Sequence, residues 1–205
     1  MKLYKNTLVV SIILFVFLVA LSVIFELTYI SESKIASFLE DYLIGIACSI
    51  IVVVITTLLQ FKYEQKKALN SLISEIQLFF FHCWVAAMAS TSPEEVPGTL
   101  WKHHCDDIYD GLRKISLGIS GIEWFTKSKK KKTVALQRAV LGLRMETIEF
   151  SNDQDMVLNA INNTLLDEIK ENVIFLAGSD DYRIKEITHN YEKIKQELEN
   201  LEVTQ

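Results

Sequence analysis

Polar and apolar positions along this chain follow two different rhythms. From Asn6 to Phe25 (NTLVVSIILFVFLVALSVIF), and again from Tyr42 to Phe61 (YLIGIACSIIVVVITTLLQF), no charge interrupts twenty residues. A helix of that length rises about 1.5 Å per residue and covers roughly 30 Å, the thickness of a bilayer's hydrocarbon core. Fifteen of the nineteen residues from Thr7 to Phe25 are Leu, Ile, Val or Phe. Each of these favours insertion by about 0.3–0.6 kcal/mol near the centre of a span. The second stretch holds more small and polar residues (Gly45, Ala47, Cys48, Ser49, Thr56, Thr57 and Gln60), yet it is too long and too apolar for an ordinary core helix. Both are expected to cross a membrane, as spans over about 6–25 and 42–61 with an external loop at 26–41.

A cleaved signal peptide is the competing reading of the N-terminus. The apolar stretch exceeds the usual ~7–15 residues, and Glu26-Leu27-Thr28-Tyr29 offers no small-residue cleavage site. Lysine placement orients the hairpin. Lys2 and Lys5 precede the first span and Lys62, Lys66 and Lys67 follow the second, whereas the loop has Lys34 alone beside Glu26, Glu32, Glu40 and Asp41. The positive-inside bias therefore predicts both termini in the cytoplasm of a multi-pass inner-membrane protein.

Past Phe61 the rhythm becomes that of one-sided helices, and no alternating strand pattern of useful length appears. The fold class expected is all-α: a transmembrane hairpin over residues 1–61 and a cytoplasmic helical domain over 62–205. A helix continues from the second span to Ser90, through the strongly apolar run Leu78-Phe-Phe-Phe-His-Cys-Trp-Val-Ala-Ala-Met88. A break holding both prolines, Pro93 and Pro97, follows. Next come a helix from about Thr99 to Ser116 closed by Gly118 and Gly121, a lysine-rich loop, and a helix from Thr133 to Phe150. Ser151, Asn152 and Asp153 are expected to cap the next helix, which runs through Met156, Val157, Ile161, Leu165, Ile169 and Val173 to Gly178. Ser179, Asp180 and Asp181 can start the last one. There, Ile184, Ile187, Tyr191, Ile194, Leu198 and Leu201 recur at the a/d spacing of a coiled coil, with mostly Glu, Lys, Gln and Asn between. The stripe is expected to form the seam of a homo-oligomer; a helix packed on its own domain gives the same spacing.

Composition changes this picture little. The three cysteines, Cys48, Cys83 and Cys105, are unpatterned and imply no disulfide framework. The net charge of −5 hides a split. Residues 101–150 hold ten Lys/Arg against six Asp/Glu, and residues 151–205 hold five against twelve. Such a division suits self-association or an anionic partner for the middle segment.

Candidate chemistry is sparse. Within His103-His104-Cys105-Asp106-Asp107, consecutive residues fan out by about 100° and cannot all meet one ion. His103, Asp107 and Asp110 share a helix face and are the candidate metal ligands. Lys127, Lys129, Lys130, Lys131 and Lys132 form a cationic cluster suited to anionic lipid head groups or, without sequence preference, to nucleic-acid phosphates. Gly45 and Ser49 give a small-xxx-small step for packing of membrane helices. Glycine never forms a phosphate-binding loop, and the acidic pairs Asp106-Asp107 and Asp167-Glu168 diverge, so neither an enzyme nor a cofactor is expected.

Two resemblances follow. Arg183 and His189, an Arg-x5-His pair, are similar to the Arg-x4–6-His pattern of HEPN ribonucleases, although Ile184 stands where that family usually has a polar residue. The resemblance implies Arg183 and His189 as a catalytic pair formed across a dimer. The whole arrangement, a two-span hairpin with almost no exterior mass and a helical cytoplasmic domain, resembles the two-transmembrane effectors of bacterial anti-phage systems, including retron-associated and SLATT-type effectors. It implies an effector that oligomerises and perturbs the inner membrane, held inactive by an inhibitory or sensor protein. The rival is a non-toxic membrane scaffold or regulator that tethers a partner protein.

Overall fold

The computed structural model describes residues 2–28, 34–91, 98–122, 127–149, 161 and 164–204, with no strand among them. The helices bounded among the described residues are α1 (Lys2–Thr28), α2 (Lys34–Thr91), α3 (Gly98–Gly121), α4 (Lys127–Glu149), α5 (Thr164–Ala177) and α6 (Tyr182–Thr204). The chain divides into two compact units, Met1–Lys66 and Lys67–Gln205, and the boundary falls inside α2.

In the first unit, α1 and the leading part of α2 are long and apolar enough to cross a membrane. Their apolar side chains face outward. None of the apolar window of α1 is buried and only 6 % of that of α2, with Ile50 the one buried residue described. The core helix of a soluble protein has the opposite character. The polar residues of α2 are satisfied inside the helix: the Ser49 hydroxyl donates to the Gly45 carbonyl at 2.9 Å, Thr57 to Val53 at 2.7 Å, and Thr56 to Val52. An unsatisfied hydroxyl in hydrocarbon costs several kcal/mol, so this back-bonding makes the stretch compatible with lipid. Within the expected loop over 26–41, both flanking helices extend past the apolar stretches. Helix α1 continues to Thr28 and α2 already begins at Lys34, leaving 29–33 outside the described residues. Ile35, Phe38, Leu39 and Tyr42 carry a helical period up to the span, with no Gly or Pro to interrupt it.

Among the described residues, the second unit is a ring of five helical segments: the trailing part of α2, then α3, α4, α5 and α6. Helices α2 and α3 are antiparallel, with Leu72 against Gly118 and Phe79 against Gly111. Helix α3 meets α4 where Arg144 donates to the Tyr109 hydroxyl at 3.2 Å. Helix α4 runs antiparallel to α5, with Lys132 over the Phe175 ring and Gly142 against Leu165. Helix α6 returns along α5, where the Tyr191 hydroxyl donates to Asp167 at 2.6 Å. It closes on α2 in parallel. Arg183 meets Asn70, Glu186 meets Gln77, Lys193 lies over Trp84 and Glu197 meets Thr91. Five alternating segments can close a ring only through a parallel pair.

Two helix ends follow from local chemistry. Gly178 adopts φ 93°, and its N–H donates to the Ile174 carbonyl, an arrangement in which a side chain is strained. Asp181 caps α6 by accepting from the Arg183 N–H at 3.0 Å. Two other expectations need correction. Gly118 does not end α3, which continues to Gly121. A Cβ at Gly118 would stand 3.1 Å from Leu72 Cδ1, so this glycine sits where two helices approach closely. Nor do Lys127 and Lys129–Lys132 form a loop, since α4 begins at Lys127. Lysine is a good helix former, and the Thr133 hydroxyl bonds back to the Lys129 carbonyl at 2.8 Å. The expected cap and first turns at 151–157 lie outside the described residues, while Ile161 is helical and buried.

One continuous core fills the ring. Phe79 and Phe80 of α2, Leu112 and Ile115 of α3, Leu136 and Leu143 of α4, and Ile169 of α5 are all fully buried in it. The α6 stripe belongs to the same core. Ile184, Ile187, Ile194 and Leu198 are buried, and Tyr191 and Leu201 pack against them partly covered. The stripe expected to form a seam between copies is thus covered by its own chain. An a/d period reports that one helix face is buried, not what buries it.

Candidate functional site

The strongest juxtaposition of chemistry-bearing side chains lies where α2 crosses α3. A rotation of about 100° per residue turns Cys83 and Cys105 into the core and leaves their neighbours His82 and His104 at its edge. Asp107, one turn on from His104, points the same way. One ligand atom from each of His82, His104 and Asp107 lies within 4.8 Å of the other two. His82 Nδ1 stands 3.5 Å from Asp107 Oδ2. Nδ1 of His82 and both ring nitrogens of His104 are buried without a hydrogen-bond partner. Burial lowers the pKa of both histidines, and for His104 the neighbouring His82 adds to the effect. Burial thus favours the neutral form of each ring, which keeps a lone pair for a ligand. The carboxylate of Asp107 partly opposes this shift in each.

The candidate set His103, Asp107 and Asp110 is only partly brought together. Asp107 is central. His103 is mostly exposed and holds Nε2 3.7 Å from Asp107 Oδ2, on the outer side of the cluster. Asp110 is exposed and outside it. His104 and His82 take their places. Spacing within one helix could not have found His82, which lies on another; its signal was a lone imidazole inside the apolar run of α2. The adjacent thiols are inert. Burial raises the pKa of Cys83 well above the usual thiol range, and that of Cys105 is pushed up to about 11.

Arg183 and His189 do not share a site within the chain. The Arg183 guanidinium donates to both oxygens of Asp181 (2.9 and 2.6 Å), to the carbonyl and side-chain oxygens of Asn70 (2.9 and 3.0 Å), and to Ser74 Oγ at 3.3 Å. It clamps the start of α6 to α2. His189 is exposed, and six residues of helix turn it about 120° away from Arg183. The role visible for Arg183 is structural.

Of the lysine cluster, Lys130 and Lys131 are exposed, Lys129 and Lys132 half-buried, and the Lys132 ammonium lies 5.5 Å from the centre of the Phe175 ring. Five cations in the first two turns oppose the helix dipole and concentrate positive potential at that end of α4. In the first unit no described atom lies within 4 Å of where a Cβ on Gly45 would sit, and Ser49 is exposed. The small-residue step is therefore unused by the described residues around it. No family model, curated protein or solved structure matches this chain.

Proposed function

We propose that this chain is a two-span inner-membrane protein, with both termini in the cytoplasm, that acts as an effector. Copies brought together through their spans perturb or permeabilise the bilayer. One observation carries the reading: the apolar windows of α1 and the first part of α2 are almost wholly unburied, and the α2 hydroxyls of Ser49 and Thr57 bond to their own backbone. Such helices suit lipid and present surface for packing against further copies, and the vacant face at Gly45 and Ser49 suits close helix approach. The resemblance to two-span anti-phage effectors supplies the setting, in which an inhibitory or sensor protein holds the chain inactive. The α4 lysines add a contact to anionic lipid or to nucleic acid. Inducing the chain with its trigger while following membrane potential tests the reading. Depolarisation that disappears when Thr7–Phe61 is deleted supports it; harmless strong expression contradicts it.

A scaffold that tethers a partner is the second reading. It is favoured by the α6 stripe, which is covered by its own chain and leaves the helical ring complete as one copy. Growth unaffected by strong expression, together with a cytoplasmic protein retained at the membrane by the intact chain, selects it.

A further inference from the structure

We propose that His82, His104 and Asp107 form a binding site for a divalent transition metal, zinc foremost, that ties α2 to α3. The first support is geometric. Tetrahedral zinc with bonds near 2.0–2.2 Å holds its ligand atoms about 3.4 Å apart. The His82–Asp107 pair stands at 3.5 Å already, and the whole set falls within 4.8 Å, so small side-chain rotations bring three donors to one ion. The helices supply ligands in a way that sequence separation hides: His104 and Asp107 sit one turn apart on α3, and His82 faces them from α2.

The second support is independent of the first. Both nitrogens of His104 and Nδ1 of His82 are withdrawn from solvent with nothing to bond. Buried polar atoms left unpaired cost free energy, and a metal satisfies one nitrogen of each ring at once.

Donor chemistry selects the ion. Two imidazoles and one carboxylate suit zinc, cobalt, nickel or copper and disfavour calcium and magnesium, which take oxygen shells. Three protein donors leave one position for water. His103, 3.7 Å from Asp107 on the solvent side, can hold the carboxylate in its ligating orientation. With Asp107 about a third exposed and His82 less so, the cluster lies at the rim of the ring, where an ion can enter.

The test uses the full chain without a histidine tag, solubilised in detergent, stripped with chelator and desalted. Cobalt(II) is titrated while visible absorption is followed, and zinc is then added as competitor. The expected result is one cobalt per chain with a low-symmetry ligand-field spectrum, displaced by zinc and not by a large excess of magnesium. Asp107→Asn should weaken binding by at least ~10-fold, the effect that loss of even an outer partner has at metal sites. His82→Ala and His104→Ala should weaken it at least as much. His189→Ala and Asp110→Asn should leave it unchanged. Helicity and melting of each variant establish folding, and Asp107→Asn, at a partly exposed position, keeps the test decisive where a histidine variant misfolds. Absence of stoichiometric binding, or binding that survives Asp107→Asn and falls with His189→Ala, overturns the proposal.

Discussion

Helix α2 contains two solutions to the same problem. In its first part, apolar residues occur all round the helix and most are exposed or half-buried, with Val52 and Leu59 each 63 % exposed and only Ile50 buried among the described residues. In its second part, one face is covered, with Leu72, Ile73, Ile76, Phe79 and Phe80 almost wholly buried, while Leu78, Phe81 and Met88 stay exposed on the other. One continuous helix therefore carries residues of similar hydrophobicity that depend on different environments. The lesson lies in periodicity rather than content. An all-round apolar surface suits a bilayer or the interior of a larger assembly; a one-sided surface needs only a few neighbouring helices.

The contrast can be broken most forcefully on α6. Ile187 and Ile194 are fully buried, so Ile187→Asp with Ile194→Asp places two carboxylates without partners in the core. Each costs about 3–5 kcal/mol, and together they match the ~5–15 kcal/mol that holds a typical domain. The helical ring should unfold, read as lost cooperative melting in circular dichroism. A folded double variant with altered assembly would instead return the stripe to an intermolecular seam.

A smaller effect is expected from Phe80→Ala. Phe80 is fully buried, edge-on to Phe79 and near the Tyr191 ring, and its loss should cost about 3–5 kcal/mol in chemical denaturation. Asp181→Ala comes next, at about 0.5–2 kcal/mol, since it removes the α6 cap and one partner of Arg183. The hydrogen bond from the Arg183 side chain holds the Asp181 carboxyl below its usual pKa of 3.8. A folded-state pKa below the unfolded one means this stabilisation is present above the unfolded pKa and is lost as pH falls through the folded one. Wild type and Asp181→Ala should therefore converge in stability on acidification below about pH 4. At the other extreme, Val52→Ser should change the denaturation of the helical ring by less than ~0.5 kcal/mol, because Val52 is exposed and is not among the residues of that core.

What the sequence disclosed follows the same division. The apolar stretches were legible because length and absence of charge need no knowledge of neighbours. Gly178 and Asp181 were legible as helix ends because caps are local. The face of α6 was legible too, but its partner was not, since periodicity cannot distinguish the α2 of the same chain from the α6 of another. Long-range pairings stayed hidden for that reason. Nothing near Arg183 announces Asn70, and nothing near Asp107 announces His82. The lysines of α4 misled in the other direction: a run of like charges suggests a loop, yet the helix tolerates it, with Lys132 resting on Phe175.

Cys48 offers the most direct test that the first unit lies in lipid. It is the one exposed cysteine, since Cys83 and Cys105 are buried in the helical core. Wild-type chain in intact membranes is treated with a polar maleimide, beside a Lys66→Cys variant whose added thiol lies beyond the second span. The account predicts that Cys48 stays unlabelled in the intact bilayer, whereas Lys66→Cys reacts there. Labelling of Cys48 in intact membranes at the rate of Lys66→Cys would place that stretch in water and contradict the account.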